Sequence, residues 1–443
     1  MRLDLMSLPK KPKRLPFLLV SDAQGRIMAH PSLKMAGRSA SDIVKVDPAD
    51  LIRLPQGSDL FSLPKRTAFG YDEGLDAFVP VTQGPKGEEV WPMAAFMAPA
   101  HTATLLAAYE NTPGAPRLPL FAYAAVGELD GEYYATGVRV DPDKRQDLEL
   151  FDDKEVGRKV ASLLKERTGN RLVEHLSRCA LVNHCPAAKN YFLGRFEAPI
   201  PSSPQCNSDC VGCLSFQKPE TGFPSTQNRI SFVPSSDEIC GVVLPHFAAA
   251  KNAVASFGQG CEGDPLMNPQ LLEDSIRALR AKTAEGTINI NTNGSRPDVV
   301  RKLMDVGLDA IRVSLNSAQE KWYNAYYRPR GYNFAQVRES IRAVAQAKGH
   351  ASINYFVFPG VSDREAEIQA LLELIEETGL HLIQWRNLNL DPDLYLETIG
   401  DPSVAGRALG VKTLFQTIRD RFPQVRHGYF NPAWKSENAA QGV

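Results

Sequence analysis

From about residue 196 onward, strand-like apolar runs alternate with helical segments, and this alternation restricts that half of the chain to a parallel α/β fold. The runs are Ala253–Phe257, Thr287–Asn291, Ala310–Leu315, Ser352–Phe358 and His381–Trp385, with a weaker one around Phe196–Ile200. Capping boxes open the helices between them: Ser235 with Glu238, Asn333 with Gln336, and Ser362 with Glu365. Gly307 and Gly379 close two helices immediately before the next strand. Six strand–helix units in roughly 200 residues suit a partial (β/α)6 barrel, too short for the eight-fold form. An open doubly wound sheet is the structural alternative. Either way, chemistry is expected in the loops after the strands.

The first half has a different texture. Residues 1–150 hold short strand-like pieces broken by Gly and Pro, with a turn at Asp22–Gly25 between Phe17–Val20 and Arg26–Ala29. Further pieces lie at Leu118–Val126 and at Tyr133–Val140, the latter after Asp130-Gly131. The reading is a β-rich N-terminal domain over 1–150, a helical connector over 151–195, the partial barrel over 196–395 and a short C-terminal extension over 396–443. That extension has one helical stretch, Val411–Arg421, and an aromatic end with Tyr429, Phe430 and Trp434.

Fifty basic residues against fifty-one acidic ones give a net charge of −1. That balance argues against extensive nucleic-acid binding. The basic tract Lys10–Arg14 reads as a solvated tail. Leu15–Val20 is too short for a secretory core, and no run approaches the roughly 18 apolar residues of a membrane span. A cytoplasmic protein without membrane contact is expected.

In that compartment, seven cysteines are not expected to form a disulfide framework, and the clustering of three of them within eight residues points to metal. Cys206, Cys210 and Cys213 form a C-x3-C-x2-C loop directly after the first strand. Three thiolates can hold three irons of a cubane and leave the fourth open. A structural zinc site calls for four closed ligands. After the second strand comes Gly258-Gln-Gly-Cys-Glu-Gly-Asp-Pro265, and glycines there let main chain approach a ligand. Asn291-Thr-Asn-Gly294 follows the third strand and Ser314-Leu-Asn316 ends the fourth.

Taken in order and spacing over residues 196–395, these motifs resemble the radical S-adenosylmethionine (SAM) superfamily. The resemblance implies a radical SAM enzyme with a [4Fe–4S] cluster on Cys206, Cys210 and Cys213. In that family the open iron binds SAM, and one electron yields methionine and a 5′-deoxyadenosyl radical that abstracts hydrogen. It further implies SAM contacts from Gly260, Glu262, Gly263 and Asp264, from Asn291 and Asn293, from Ser314 and Asn316, and from Arg328 and Arg330. Asn354, Arg386 and Asn387 become candidate substrate contacts, and Cys261 a candidate catalytic thiol. A flavodoxin- or ferredoxin-type electron donor is implied as partner. One departure stands out: the residue before the third cysteine, often aromatic in the family, is Gly212, which transfers packing on adenine to another side chain such as Phe216. The substrate reads as a small molecule or a protein side chain. The competing function is a non-catalytic, metal-stabilised module that binds protein or nucleic acid. Cys179, Cys185, Cys240 and Cys261 remain, with packing or an auxiliary cluster as readings, and His184 stands beside Cys185.

Overall fold

The computed structural model describes residues 12, 14–84 and 86–436. Lys10, Lys11 and Lys13 of the basic tract lie outside the described residues. The chain divides into two compact units, neither continuous in sequence. One combines residues 1–140 with 357–366 and 387–415; the other holds 141–356, 367–386 and 416–443.

The second unit is built on a seven-stranded sheet. Its strands are β1 (Glu197–Ile200), β2 (Val254–Phe257), β3 (Thr287–Thr292), β4 (Ala310–Leu315), β5 (His350–Val357), β6 (Leu382–Asn387) and β7 (Arg426–Gly428). They lie side by side in chain order, with parallel register from Glu197↔Val254 through Ser314↔Asn354. A doubly wound sheet reverses its order at a switch point; this one never does. The sheet also curls. Asn431 donates to Glu197 on β1 (2.8 Å) and to Ser256 on β2 (3.2 Å), and accepts from Gln384 on β6 (2.9 Å). Strands five places apart therefore meet at one side chain, which a flat sheet forbids. The partial barrel is correct, with β7 as an additional strand.

Alternation gives the curled sheet an outer and an inner face. On β4, Ile311, Val313 and Leu315 are fully buried towards the helices, while Arg312 and Ser314 face inward. Burying each aliphatic side chain contributes about 1.5–3 kcal/mol. The helices are α1 (Asp153–Glu166), α2 (Arg171–Leu181), α3 (Pro186–Phe192), α4 (Ser236–Ala249), α5 (Pro269–Arg280), α6 (Pro297–Asp305), α7 (Glu320–Tyr327), α8 (Phe334–Gln346), α9 (Glu365–Thr378), α10 (Pro392–Ile399) and α11 (Val411–Arg421). The capping boxes at Ser235 and Asn333 are both formed. Ser362 accepts from the Phe358 N–H at 2.9 Å, and α9 begins three residues later.

The first unit is β-rich and antiparallel. Phe17–Asp22 pairs with Ile27–Met35, Val126–Leu129 and Val90–Phe96. Val126–Leu129 and Glu132–Arg139 close a hairpin at Asp130-Gly131, both with positive φ. Residues 118–125, expected to be extended, precede that strand without joining it. Both faces of Phe17–Asp22 are buried: Leu19 packs with Met93, Met97 and Val126, and Leu18 and Val20 with Leu33 and Val81. Segment 387–415 joins this unit through polar anchors. The Asn387 amide accepts from Ala103 N (2.8 Å) and donates to His101 O (3.0 Å). Asp391 accepts from Leu118 N (2.7 Å) and faces Arg66.

Candidate active site

The loop after β1 carries Cys206, Cys210 and Cys213, all half-buried free thiols. The last turn of α7 and the chain just beyond it fix this loop. Asp209 N donates to Tyr327 O (3.1 Å), Val211 N to Tyr326 O (3.0 Å), and Arg330 N to Asn207 O (2.9 Å). The Arg330 guanidinium donates to Cys206 O at 2.8 Å. Ser208 Oγ lies 2.7 Å from Tyr332 Oη, and its N–H donates to Cys206 Sγ at 3.4 Å. Burial pushes Cys206 up to about 11 and Cys210 well above the usual thiol range; Asp264 adds to the first and the other two loop thiols to the second. Three gathered thiolates are costly without a cation, and metal binding supplies the missing charge.

The loop after β2 closes on the cysteine loop main chain to main chain. Gly263 N donates to Ser203 O and Asp264 N to Gln205 O, each at 2.7 Å. A Cβ on Gly263 would fall 2.0 Å from Gln205 O, so only glycine fits. Gly258, at φ +78°, faces the Asn291 carbonyl as closely. At Gly260 the nearest atom to an added Cβ is 3.7 Å away. Both acidic side chains of the loop turn into the protein. Glu262 accepts from Ser202 N (2.7 Å), Ser203 N (3.0 Å) and Gln259 N (2.7 Å). Burial pushes its pKa up to about 8, against those N–H donors. Asp264 accepts from Thr292 Oγ1 (2.8 Å) and Asn293 N (2.7 Å), tying this loop to the end of β3.

At the end of β3, the Asn293 amide donates to Asn207 (2.7 Å) and Ser208 (3.0 Å) of the cysteine loop. The Asn291 amide donates to Gly258 O at 2.8 Å. Ser314 faces the barrel interior beside Asn354, its register partner on β5. Asn316 lies beyond β4, where its amide donates to Trp322 O on α7 (3.1 Å). Arg328 is exposed at the left-handed end of α7. Arg386 lies 3.4 Å over the Tyr429 ring and donates to Tyr429 O at 2.6 Å. Phe216 is half-exposed. The Cys261 thiol lies beside His175 and Cys179.

Residues 200–372 match the family model described as the Radical SAM superfamily. This segment is a radical SAM domain. Among solved structures, the [FeFe]-hydrogenase maturase HydG is 13% identical, with a TM-score of 0.37, over 62% of this chain and 63% of its own. Methylornithine synthase (PylB) is 14% identical, with a TM-score of 0.37, over 61% and 76%. A radical SAM methyltransferase from Sphaerobacter thermophilus is 14% identical, with a TM-score of 0.34, over 48% and 64%. The chain thus spans under two thirds of HydG, and at these TM-scores the assignment rests on the family match alone.

The radical SAM superfamily uses a [4Fe–4S] cluster and SAM, and the residues present fit that pair. Three thiols stand in one loop, and a main-chain clamp holds the glycine-rich loop against them. One residue here escaped sequence reasoning. Arg229, 16 residues past the motif, donates to Cys213 Sγ (3.3 Å) and Ser215 Oγ (3.1 Å), and stacks 5.1 Å from the Phe216 ring. No local pattern marks it, because its loop is irregular. A donor on a ligating sulfur favours the more negative, reduced cluster. Arg229→Met is therefore expected to lower the reduction potential by roughly 40 mV, one net hydrogen bond of about 1 kcal/mol. Potentiometric titration followed by electron paramagnetic resonance checks it; an unchanged potential contradicts the role.

Proposed function

We propose that this protein is a radical SAM enzyme that abstracts hydrogen from an anionic substrate, with its cluster on Cys206, Cys210 and Cys213. When bound, the cluster supplies the electron that cleaves SAM to methionine and a 5′-deoxyadenosyl radical. The observation that carries the reading is the clamp at Gly263, which presses the glycine-rich loop onto the cysteine loop inside the matched domain.

The polar groups divide into two sets. Glu262, Asp264, Asn291, Asn293, Arg330 and Asn387 spend theirs on the protein and act as positioning residues. The main chain around Gly260 and Gly263, with Ser314, Asn316 and Arg328, is assigned to SAM. Asn354, whose buried Oδ1 has no hydrogen-bond partner among the described residues, and Arg386 are assigned to substrate. Hydrogen donation is not assigned to Cys261, whose thiol faces other ligand-type side chains. A flavodoxin- or ferredoxin-type protein is proposed as electron donor, in the cytoplasm. Among the described residues no helix is long and apolar enough to cross a membrane.

The barrel interior supports an anionic group on the substrate, which is a small molecule or a protein side chain. Arg312 is half-buried with its Nε shut off from solvent, and desolvation and the neighbouring Arg386 lower its pKa to about 9. Glu197 is the carboxylate that opposes Arg312. A bound anion restores the balance. In a substrate screen, anionic compounds are expected to accelerate 5′-deoxyadenosine formation more than their neutral analogues. Arg386→Ala is expected to raise KM for the best of them roughly 10- to 100-fold, the loss of a charged hydrogen bond. Preference for the neutral analogues contradicts the reading.

A non-catalytic zinc-stabilised module is the alternative, and metal analysis separates the two. Anaerobically reconstituted protein is expected to hold iron and sulfide and, once reduced, to give a paramagnetic signal that SAM perturbs. Zinc without sulfide at these cysteines contradicts the proposal.

A further inference from the structure

Outside the cysteine loop, a second set of ligand-type side chains converges. His175 and Cys179 stand four residues apart on α2, hence on one helix face. Cys261, in the loop after β2, meets them there. The ring nitrogen of His175 and the two sulfurs all lie within 4.8 Å of one another. Both cysteines are buried, at 3% and 6% exposure. The His175 Nε2 is buried without a hydrogen-bond partner among the described residues. Two thiolates about 2.3 Å from one tetrahedral ion stand about 3.8 Å apart, so this spacing suits a single ion.

We propose that His175, Cys179 and Cys261 bind one thiophilic divalent ion of the zinc type, separate from the cluster of Cys206, Cys210 and Cys213. Binding displaces the protons of Cys179 and Cys261 to solvent and leaves His175 neutral. Cys185 suits the fourth position. Its N–H donates to Cys179 O at 2.9 Å, and its side chain is within electrostatic reach of both thiols. Cys240 lies elsewhere, inside α4 beside Ser236, and His184 lies near Asp153. The site joins α2 to the glycine-rich loop, since Cys261 precedes Glu262 and its carbonyl accepts from Ile230 N at 2.8 Å. An ion here staples the connector helices to the segment that clamps the cysteine loop. The inference stands whether or not SAM is cleaved.

The test uses the full chain with Cys206, Cys210 and Cys213 changed to serine, so that no cluster competes. Titrated with cobalt(II) under reducing, anaerobic conditions, it is expected to take up one equivalent, with thiolate-to-cobalt charge transfer and tetrahedral ligand-field bands. One equivalent of zinc is expected to displace the cobalt. His175→Ala, Cys179→Ser and Cys261→Ser, each added to that background, are expected to lose the equivalent with unchanged far-ultraviolet circular dichroism; Cys240→Ser is expected to keep it. In the unsubstituted protein, one zinc is expected alongside the iron and sulfide of the cluster. Failure to bind cobalt, binding indifferent to all three side chains, or uptake of iron with sulfide in their place overturns the assignment.

Discussion

Asp391→Ala is expected to destabilise the unit that contains the N-terminal β-rich region by about 3–5 kcal/mol, the cost of stranding a buried charge. Asp391 and Arg66 are each 1% exposed and lie 3.5 Å apart. The carboxylate also takes the N–H of Leu118 (2.7 Å) and caps α10 through Asp393 N (2.9 Å). Without it, the hydrogen bonds left to Arg66 among the described residues go to the Pro64 and Pro116 carbonyls, at 2.9 and 2.8 Å. Urea unfolding checks this, through a lower midpoint at constant slope. Glu397→Ala, which removes the exposed partner of Arg117, is expected to cost under about 1 kcal/mol. Equal losses in the two variants contradict the buried pair.

Gly263→Ala is expected to part the two loops of the site. Its new Cβ would meet main-chain atoms of Gln205, which cannot rotate aside, next to Cys206. Overpacking of this kind costs about 1–3 kcal/mol, roughly a 5- to 150-fold weakening of cluster retention and SAM binding. Gly260→Ala is the matched control, because its Cβ meets only ordinary contacts. Iron content and SAM affinity measure both. Equal tolerance of the two alanines contradicts the clamp.

These two sites differ in how far they were visible in the sequence. All six expected strands formed within two residues of their expected ends, because each is a buried run bounded by turn residues. β7 was missed because Arg426-His-Gly428 has no apolar alternation; its identity comes from pairing with Leu382–Gln384. The cysteine motif is local and was plain. The roles within the glycine-rich loop were not, since sequence cannot tell a carboxylate facing a ligand from one collecting main-chain N–H groups, as Glu262 and Asp264 do. Arg229 and His175 reach their cysteines only through the fold, although the four-residue step from His175 to Cys179 marks one helix face. Asp391 lies 325 residues from Arg66, beyond the reach of any local pattern.

The most direct test of the radical SAM assignment is to count 5′-deoxyadenosine. Anaerobically reconstituted protein, given SAM and a strong one-electron reductant, is expected to release 5′-deoxyadenosine together with methionine. The Cys206→Ala, Cys210→Ala and Cys213→Ala variants are expected to release none. No 5′-deoxyadenosine from protein with a full complement of iron and sulfide, or equal amounts from it and the three variants, would contradict the assignment.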